Sequence, residues 1–415
     1  MQPVLDYLYG LTRFGIKLGL DEIIKLVGAL ENPQNKFKSI HIAGTNGKGS
    51  TACFIATILQ SAGYKVGLYT SPHLIRFNER IKINNKEISD SELVRLTKKL
   101  KVIVEKEKIQ TTFFEFTTAL AFEYFAEQKV DFAIIETGLG GRLDATNILR
   151  PEISVITNIS IDHTKHLGKT KLKIASEKAG IIKEKSIVVT AETDKRVIKK
   201  FKEICNEKKS EFYVLDHELK AKINRSDFES QLFTVSGLIN TAFEIKQLGE
   251  CQIKNALLSL LVADLLNIPL GAMKEGLRKS FWKGRLEIIQ KDPLVIVDGA
   301  HNVEGMKSLV QFIKPIKCKK VLLLGTAEDK EISKMLKLIV PLVEKVVLTQ
   351  GNFKPASLKL LEKEVKKYNK EVYLCPDIKE AINFGLSLTN KGEMLLISGS
   401  LYLVGDVLAH RNLFK

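Results

Sequence analysis

Cysteine is scarce. The five present, Cys53, Cys205, Cys251, Cys318 and Cys375, lie far apart and form no CxxC pair. That spacing argues against a structural zinc site or a disulfide framework and fits a reducing compartment. No uncharged apolar run approaches the ~20 residues a membrane helix needs. The opening Met-Gln-Pro-Val-Leu-Asp lacks the basic-then-apolar pattern of a signal peptide. Acidic residues are the minority charge, 48 against 64 Lys plus Arg, so the formal net charge is 64 − 48 = +16. The lysine-rich stretches Lys98 to Lys108 and Lys363 to Lys370 are not interleaved with aromatic residues in a stacking pattern, and they read as solvated helix faces. The expectation is a cytoplasmic protein with neither a membrane nor a nucleic acid as partner.

What is present is ample core material. Hydrophobic residues make up 45% of 415 positions, a length that favours two domains. Phe37 to Ala43 reads as a strand, and Lys48 to about Ala62 has the apolar spacing of a helix. Lys65 to Tyr69 reads as the next strand. Strand, glycine turn, helix and strand make a βαβ unit, the mark of a covered, mostly parallel α/β sheet. Further buried-type strands are predicted at Phe132 to Glu136 and Ile153 to Asn158. A second α/β series begins near Pro293, with strands expected at Leu294 to Val297, Val321 to Leu324, Lys345 to Leu348, Val372 to Leu374 and Met394 to Ile397. The predicted division is a catalytic domain over 1–285, a linker over 286–292 and a smaller Rossmann-like domain over 293–415. Residues 185–250 are the least legible, with a hairpin suggested across Lys222 to Val235.

The chemistry-bearing motifs fall where these strands end, the usual ligand edge of an open α/β sheet. Gly44-Thr45-Asn46-Gly47-Lys48-Gly49-Ser50 follows a strand and opens a helix. Such a turn lets backbone N–H groups converge on phosphate oxygens, and Lys48 would reach the β and γ phosphates. The spacing departs from G-x-x-x-x-G-K-[ST]. Glu136, at the end of a buried strand, suits a magnesium ligand or a plain loop cap. Asp162-His163, Glu177-Lys178, Asp298-Gly-Ala-His301-Asn302 and Ser398-Gly-Ser400 are each, taken alone, as consistent with ordinary loops. Lys178 stands in an apolar setting, where a lysine of lowered pKa can take up carbon dioxide as a carbamate.

Taken together, these motifs resemble the folylpolyglutamate synthase and dihydrofolate synthase family of the Mur ligase superfamily. His41 to Ser50, Ser71-Pro-His-Leu74, Phe77-Asn-Glu-Arg80 and Glu136 to Asn147 carry the resemblance most specifically. It implies an N-terminal phosphate-loop ATPase domain and a smaller Rossmann-like C-terminal domain, with the active site between them. It implies that Gly44 to Ser50, Asn255, Arg285 and Asp298 bind ATP. Ser71 and Glu136 would hold one Mg2+; His163 and a carbamylated Lys178 would serve a second, and a monovalent cation such as K+ is a further implied cofactor. Leu18, Gly19, Leu20, Thr112, Phe113, Phe114, Glu115, Leu143, Asp144 and Ala145 would line the pterin side, with Asp144 reading the pterin. His301 and Ser398 would face glutamate. Lys48, Lys178 and His301 are the catalytic expectations. The implied reaction joins L-glutamate to dihydropteroate or reduced folates through an acyl phosphate, in a monomer. A peptidoglycan Mur ligase is expected to carry a UDP-sugar domain ahead of the loop, and only 43 residues precede Gly44.

Overall fold

Lys38–Ala43 (β1) is buried on both faces, with Ile40 and Ile42 on one and Ser39, His41 and Ala43 on the other, and it pairs with a neighbour on each side. In the computed structural model, which describes residues 1–15, 19–368 and 370–414, this strand sits inside an eight-stranded sheet. Its companions are Val66–Tyr69 (β2), Ile81–Ile83 (β3), Lys86–Glu87 (β4), Phe132–Glu136 (β5), Ile153–Ile156 (β6), Ile187–Thr190 (β7) and Glu211–Val214 (β8). The order is β4-β3-β2-β5-β1-β6-β7-β8, parallel from β2 to β8, with β3 and β4 added antiparallel at one edge. Continuous apolar strands are what a sheet covered on both faces requires.

The helix Lys48–Ser61 is buried on nearly every side, because it lies between the sheet and two further helices, Glu250–Leu265 and Leu270–Lys279. On the other face, Phe113–Glu127 packs Phe116, Phe122 and Phe125 against Tyr69 and Ile135. A small antiparallel sheet, Leu219–Ser226 (β9), Gln231–Gly237 (β10) and Thr241–Ile245 (β11), contributes Phe233 and Phe243 to the first of these cores. The expected hairpin is therefore β9 and β10, and the illegible region before it holds β7, a helix at Lys195–Glu207 and β8.

The second half forms a six-stranded sheet: Glu287–Lys291 (β12), Leu294–Asp298 (β13), Lys320–Leu324 (β14), Lys345–Leu348 (β15), Glu371–Leu374 (β16) and Met394–Ser398 (β17). Its order is β12-β13-β17-β14-β15-β16, parallel except for β12. The stretch 286–292, expected as a linker, is instead mostly strand β12, because Glu287–Lys291 completes the edge of this sheet against β13. The two halves close on each other tightly. Gly405, in the helix Leu401–Ala409, has no room for a side chain, since a Cβ there would lie 2.0 Å from the carbonyl oxygen of Leu74. Among the described residues no helix is long and apolar enough to cross a membrane.

Candidate active site

The carboxyl ends of both parallel sheets open into one cleft of about 1210 Å3, walled by residues of both halves. The phosphate loop lies at its base. Gly47 caps the helix Lys48–Ser61 with φ of 82°, a left-handed backbone that favours glycine. A Cβ there would also sit 2.5 Å from Oδ1 of Asn255, so the loop and Asn255 fit only without a side chain. The loop is tied to the next strand exit: Thr45 N–H donates to the Asn158 carbonyl at 2.8 Å, and Asn46 N–H donates to Asn158 Oδ1 at 3.0 Å.

Glu136 accepts the Ser71 N–H at 3.1 Å, and Lys48 Nζ stands 3.9 Å from its other oxygen. Burial pushes the Glu136 carboxyl upward, against the field of Lys48. Lys178 is 4% exposed and donates to the Gly44 carbonyl at 2.7 Å. Burial, and then repulsion by Lys48, lowers its ammonium pKa to about 7. His163 adopts φ of 49° and stands on the cleft wall beside Asp162.

The second half reaches across. Asn302 and Asn46 exchange side-chain hydrogen bonds at 2.9 and 3.2 Å. Asn302 also donates to Asp162 at 3.1 Å, and Lys330 donates to the same carboxylate at 2.9 Å. Asp298 accepts the Leu286 and Ala300 N–H groups, each at 2.9 Å, which fixes the loop that carries Arg285. His301 sets Nδ1 2.8 Å from the Gly299 carbonyl, so Nδ1 carries the proton and Nε2 keeps its lone pair. Burial first, then Lys330, pushes its pKa down to about 4.

On the opposite wall, Tyr9 and Phe113 stack with centroids 5.9 Å apart, and Phe114 closes over Gly138. Phe353 and Tyr402 stack at 4.4 Å on the side of the second sheet. Of the pterin-side expectations, Gly19, Thr112, Phe113, Phe114, Glu115, Leu143, Asp144 and Ala145 all line the cleft. Leu18 lies outside the described residues, and Leu20 packs into the core behind the wall. Two of these residues have visible structural duties. Glu115 closes a capping box by accepting the Thr112 N–H at 2.8 Å and its hydroxyl at 2.7 Å. Asp144 accepts the Leu139 N–H at 2.8 Å and the Thr146 N–H at 3.0 Å, so both of its oxygens hold the loop. Ser398 is not brought to the wall. It is fully buried at the end of β17, where its hydroxyl finds no partner. Sequence reasoning passed over Asn46 to Asn302 as a cross-cleft contact, over Lys330 and over the side chain of Arg80.

Residues 42–263 match the Mur ligase middle domain, and residues 284–401 match the Mur ligase glutamate ligase domain. The chain belongs to the Mur ligase family. Among this Mur ligase's relatives, the dihydrofolate synthase/folylpolyglutamate synthase of Bacillus subtilis is 38% identical, with 98% of each chain covered. The folylpolyglutamate synthase of Lacticaseibacillus casei is 34% identical over 93% of this chain and 92% of its own. Among solved structures, folylpolyglutamate synthase from Thermotoga maritima superposes with a TM-score of 0.87 at 35% identity, covering 99% of this chain and 96% of that one. The Mycobacterium tuberculosis folylpolyglutamate synthase complexed with ADP gives 0.91 at 28% identity, with 98% of each covered.

Proposed function

We propose that this Mur ligase joins L-glutamate to dihydropteroate, to reduced folates or to both, consuming ATP. The observation that carries the reading is the joint wall of one cleft. A phosphate loop with Lys48 and Glu136 stands at its base, Arg285 and Asp298 come from the second half, and an aromatic wall of Tyr9, Phe113 and Phe114 fits a flat heterocycle. An oxygen of the acceptor's carboxylate forms a bond to the γ-phosphorus while the bond to the β-phosphate oxygen breaks, giving an acyl phosphate and ADP. The amine of glutamate then adds to the acyl carbon, and the tetrahedral intermediate expels phosphate as the amine gives up its proton. Both steps bring anions together, so positioned cations and N–H donors do more than a side-chain nucleophile would.

In this reading Gly44 to Ser50 cradle the phosphates, Lys48 neutralises the migrating group, and Asn255, Arg285 and Asp298 hold the nucleotide. The neutral Nε2 of His301 accepts a hydrogen bond from the incoming amine. Leu143, Ala145 and Phe114 line the heterocycle. Glu136 and the Ser71 hydroxyl are oxygen donors of the kind Mg2+ prefers. No three His, Cys, Asp or Glu side chains among the described residues are placed to hold a metal alone, so Glu136 and Ser71 would hold the ion only together with donors from outside the chain, such as the nucleotide. When bound, Mg2+ supplies charge neutralisation at the phosphates. The unmodified Lys178 ammonium does not fit a second cation beside His163; its carbamate would. The enzyme acts as a monomer, which sedimentation velocity checks.

The test incubates the protein with ATP, Mg2+, radiolabelled L-glutamate and either dihydropteroate or tetrahydrofolate. Label should appear in at least one acceptor, with one ADP released per amide formed. Failure with both acceptors would sink the reading.

A further inference from the structure

Arg80 is a buried cation on the cleft wall that the reading above leaves without a task. It is 8% exposed, at the end of a short 3-10 turn, Phe77–Arg80, that leads into β3. Its Nε donates to Nδ1 of His73 at 2.8 Å. That bond is available because burial, and then Arg80 itself, lowers the His73 pKa to about 4, so the ring is neutral and can accept. The rings of Phe113 and Phe77 flank the guanidinium at 5.2 and 5.9 Å. These contacts fix its plane and use only one of its nitrogens.

The two terminal amino groups are different. Among the described residues Arg80 enters no ion pair, and its only side-chain hydrogen bond is the one to His73. The acid whose field reaches it, Glu136, is occupied by Lys48 and the Ser71 N–H. Exposed arginines of this chain, such as Arg95, Arg142 and Arg411, do find carboxylates. A buried guanidinium with open donors is costly unless an anion completes it. Arg80 lines the cleft between the aromatic wall and Tyr402 of the second half. Its free edge presents two parallel N–H donors, the fork that matches a carboxylate.

We propose that Arg80 is a carboxylate clamp for a substrate of the ligase, held in plane by His73, Phe77 and Phe113 and receiving the carboxylate on its two terminal amino groups. This rests on the ligase reading. Both of the substrates that are joined carry carboxylates, at least one on the acceptor and two on L-glutamate; the flanking aromatic rings suit the acceptor's aromatic body, while Tyr402 opens toward the glutamate side. The phosphate loop already supplies donors for ATP.

The experiment compares Arg80→Gln and Arg80→Lys with the wild type, after the unliganded Tm of each variant has been recorded. KM is measured separately for ATP, L-glutamate and dihydropteroate. Loss of a bidentate pair in a buried site should raise one carboxylate KM by roughly thirtyfold or more in Arg80→Gln, with partial recovery in Arg80→Lys. The KM for ATP should stay within about threefold. Which carboxylate substrate shifts identifies the source. Unchanged values for both, or a shift confined to ATP, overturn the clamp. A binding arm separates this outcome from failure of the ligase reading: the rise in Tm on adding dihydropteroate or L-glutamate is compared in wild type and Arg80→Gln. If the wild type turns nothing over but is stabilised by one of these ligands, and the variant is not, the clamp stands and the ligase reading falls. Equal stabilisation of both proteins, or none in either, overturns the clamp.

Discussion

Lys178 offers a prediction whose size can be worked from its surroundings. Its amine is buried, donates to the Gly44 carbonyl and faces the charge of Lys48, which lowers its pKa from 10.5 to about 7. At pH 7.5 roughly three quarters of the molecules then carry the neutral amine, against about one in a thousand for an ordinary lysine. Only the neutral amine attacks carbon dioxide, so the structure favours carbamate formation by several hundredfold, about three powers of ten at most. Between pH ~7 and ~10.5 the unfolded chain binds the extra proton, so this group's contribution to stability rises with pH across that window and is flat below it. The assay is carbon-13 NMR of protein equilibrated with labelled bicarbonate. One carbamate resonance is expected in the wild type, absent in Lys178→Ala, and activity of that variant should fall by about a hundredfold or more and recover in part with added formate or acetate. A fully active Lys178→Ala, or an unchanged resonance in it, would refute the reasoning.

Three further outcomes follow from contacts already described. Gly47→Ala forces a side chain into a left-handed position and against Asn255 Oδ1; the KM for ATP should rise about tenfold or more, and equal nucleotide affinity would contradict the packing argument. Lys330→Met leaves Asp162, now 10% exposed, without its cationic partner. A loss of about 3 kcal/mol in the closed arrangement should widen the cleft, and solution X-ray scattering of the free protein would show a larger radius of gyration. Burial alone would raise the Asp162 carboxyl, but His163, Lys330 and Asn302 outweigh it and hold the group below the usual range. Its stabilising charge is therefore complete above pH ~4 and lost only below that. Asp144→Ala releases the Leu139 and Thr146 N–H groups, so both acceptors should lose activity together with about 2 kcal/mol of stability. A selective loss with dihydropteroate would instead mean that Asp144 reads the pterin directly.

The phosphate loop was legible because its chemistry and its place after a buried strand coincide at Gly44 to Ser50. The strands that carry the sites were legible too, since β5 and β13 are nearly continuous in apolar residues and β1 leads straight into the glycine turn. What escaped was set by tertiary context. β9 was legible only in part: the hairpin expected across Lys222 to Val235 includes it, but its start at Leu219 was missed, since the strand is exposed along nearly its whole length. β12 looked like a linker because its role is to pair an edge, which no local pattern states. Thr112 and Glu115 form a capping box whose T-x-x-E spacing is legible in the sequence. Arg80 was visible as a letter in a motif; that it has no acidic partner among the described residues was not. That property belongs to the folded chain.

The paired amides of Asn46 and Asn302 have a thermodynamic consequence. One belongs to the phosphate loop and the other caps the helix Val303–Ile313 behind β13. A contact that exists only when the halves are together makes nucleotide affinity and closure reciprocal quantities: whatever tightens one must tighten the other by the same factor. Replacing Asn302 would thus be felt as weaker ATP binding through a residue on the far sheet. Glutamate arriving on that side can, by the same equality, strengthen the hold on a nucleotide it never touches.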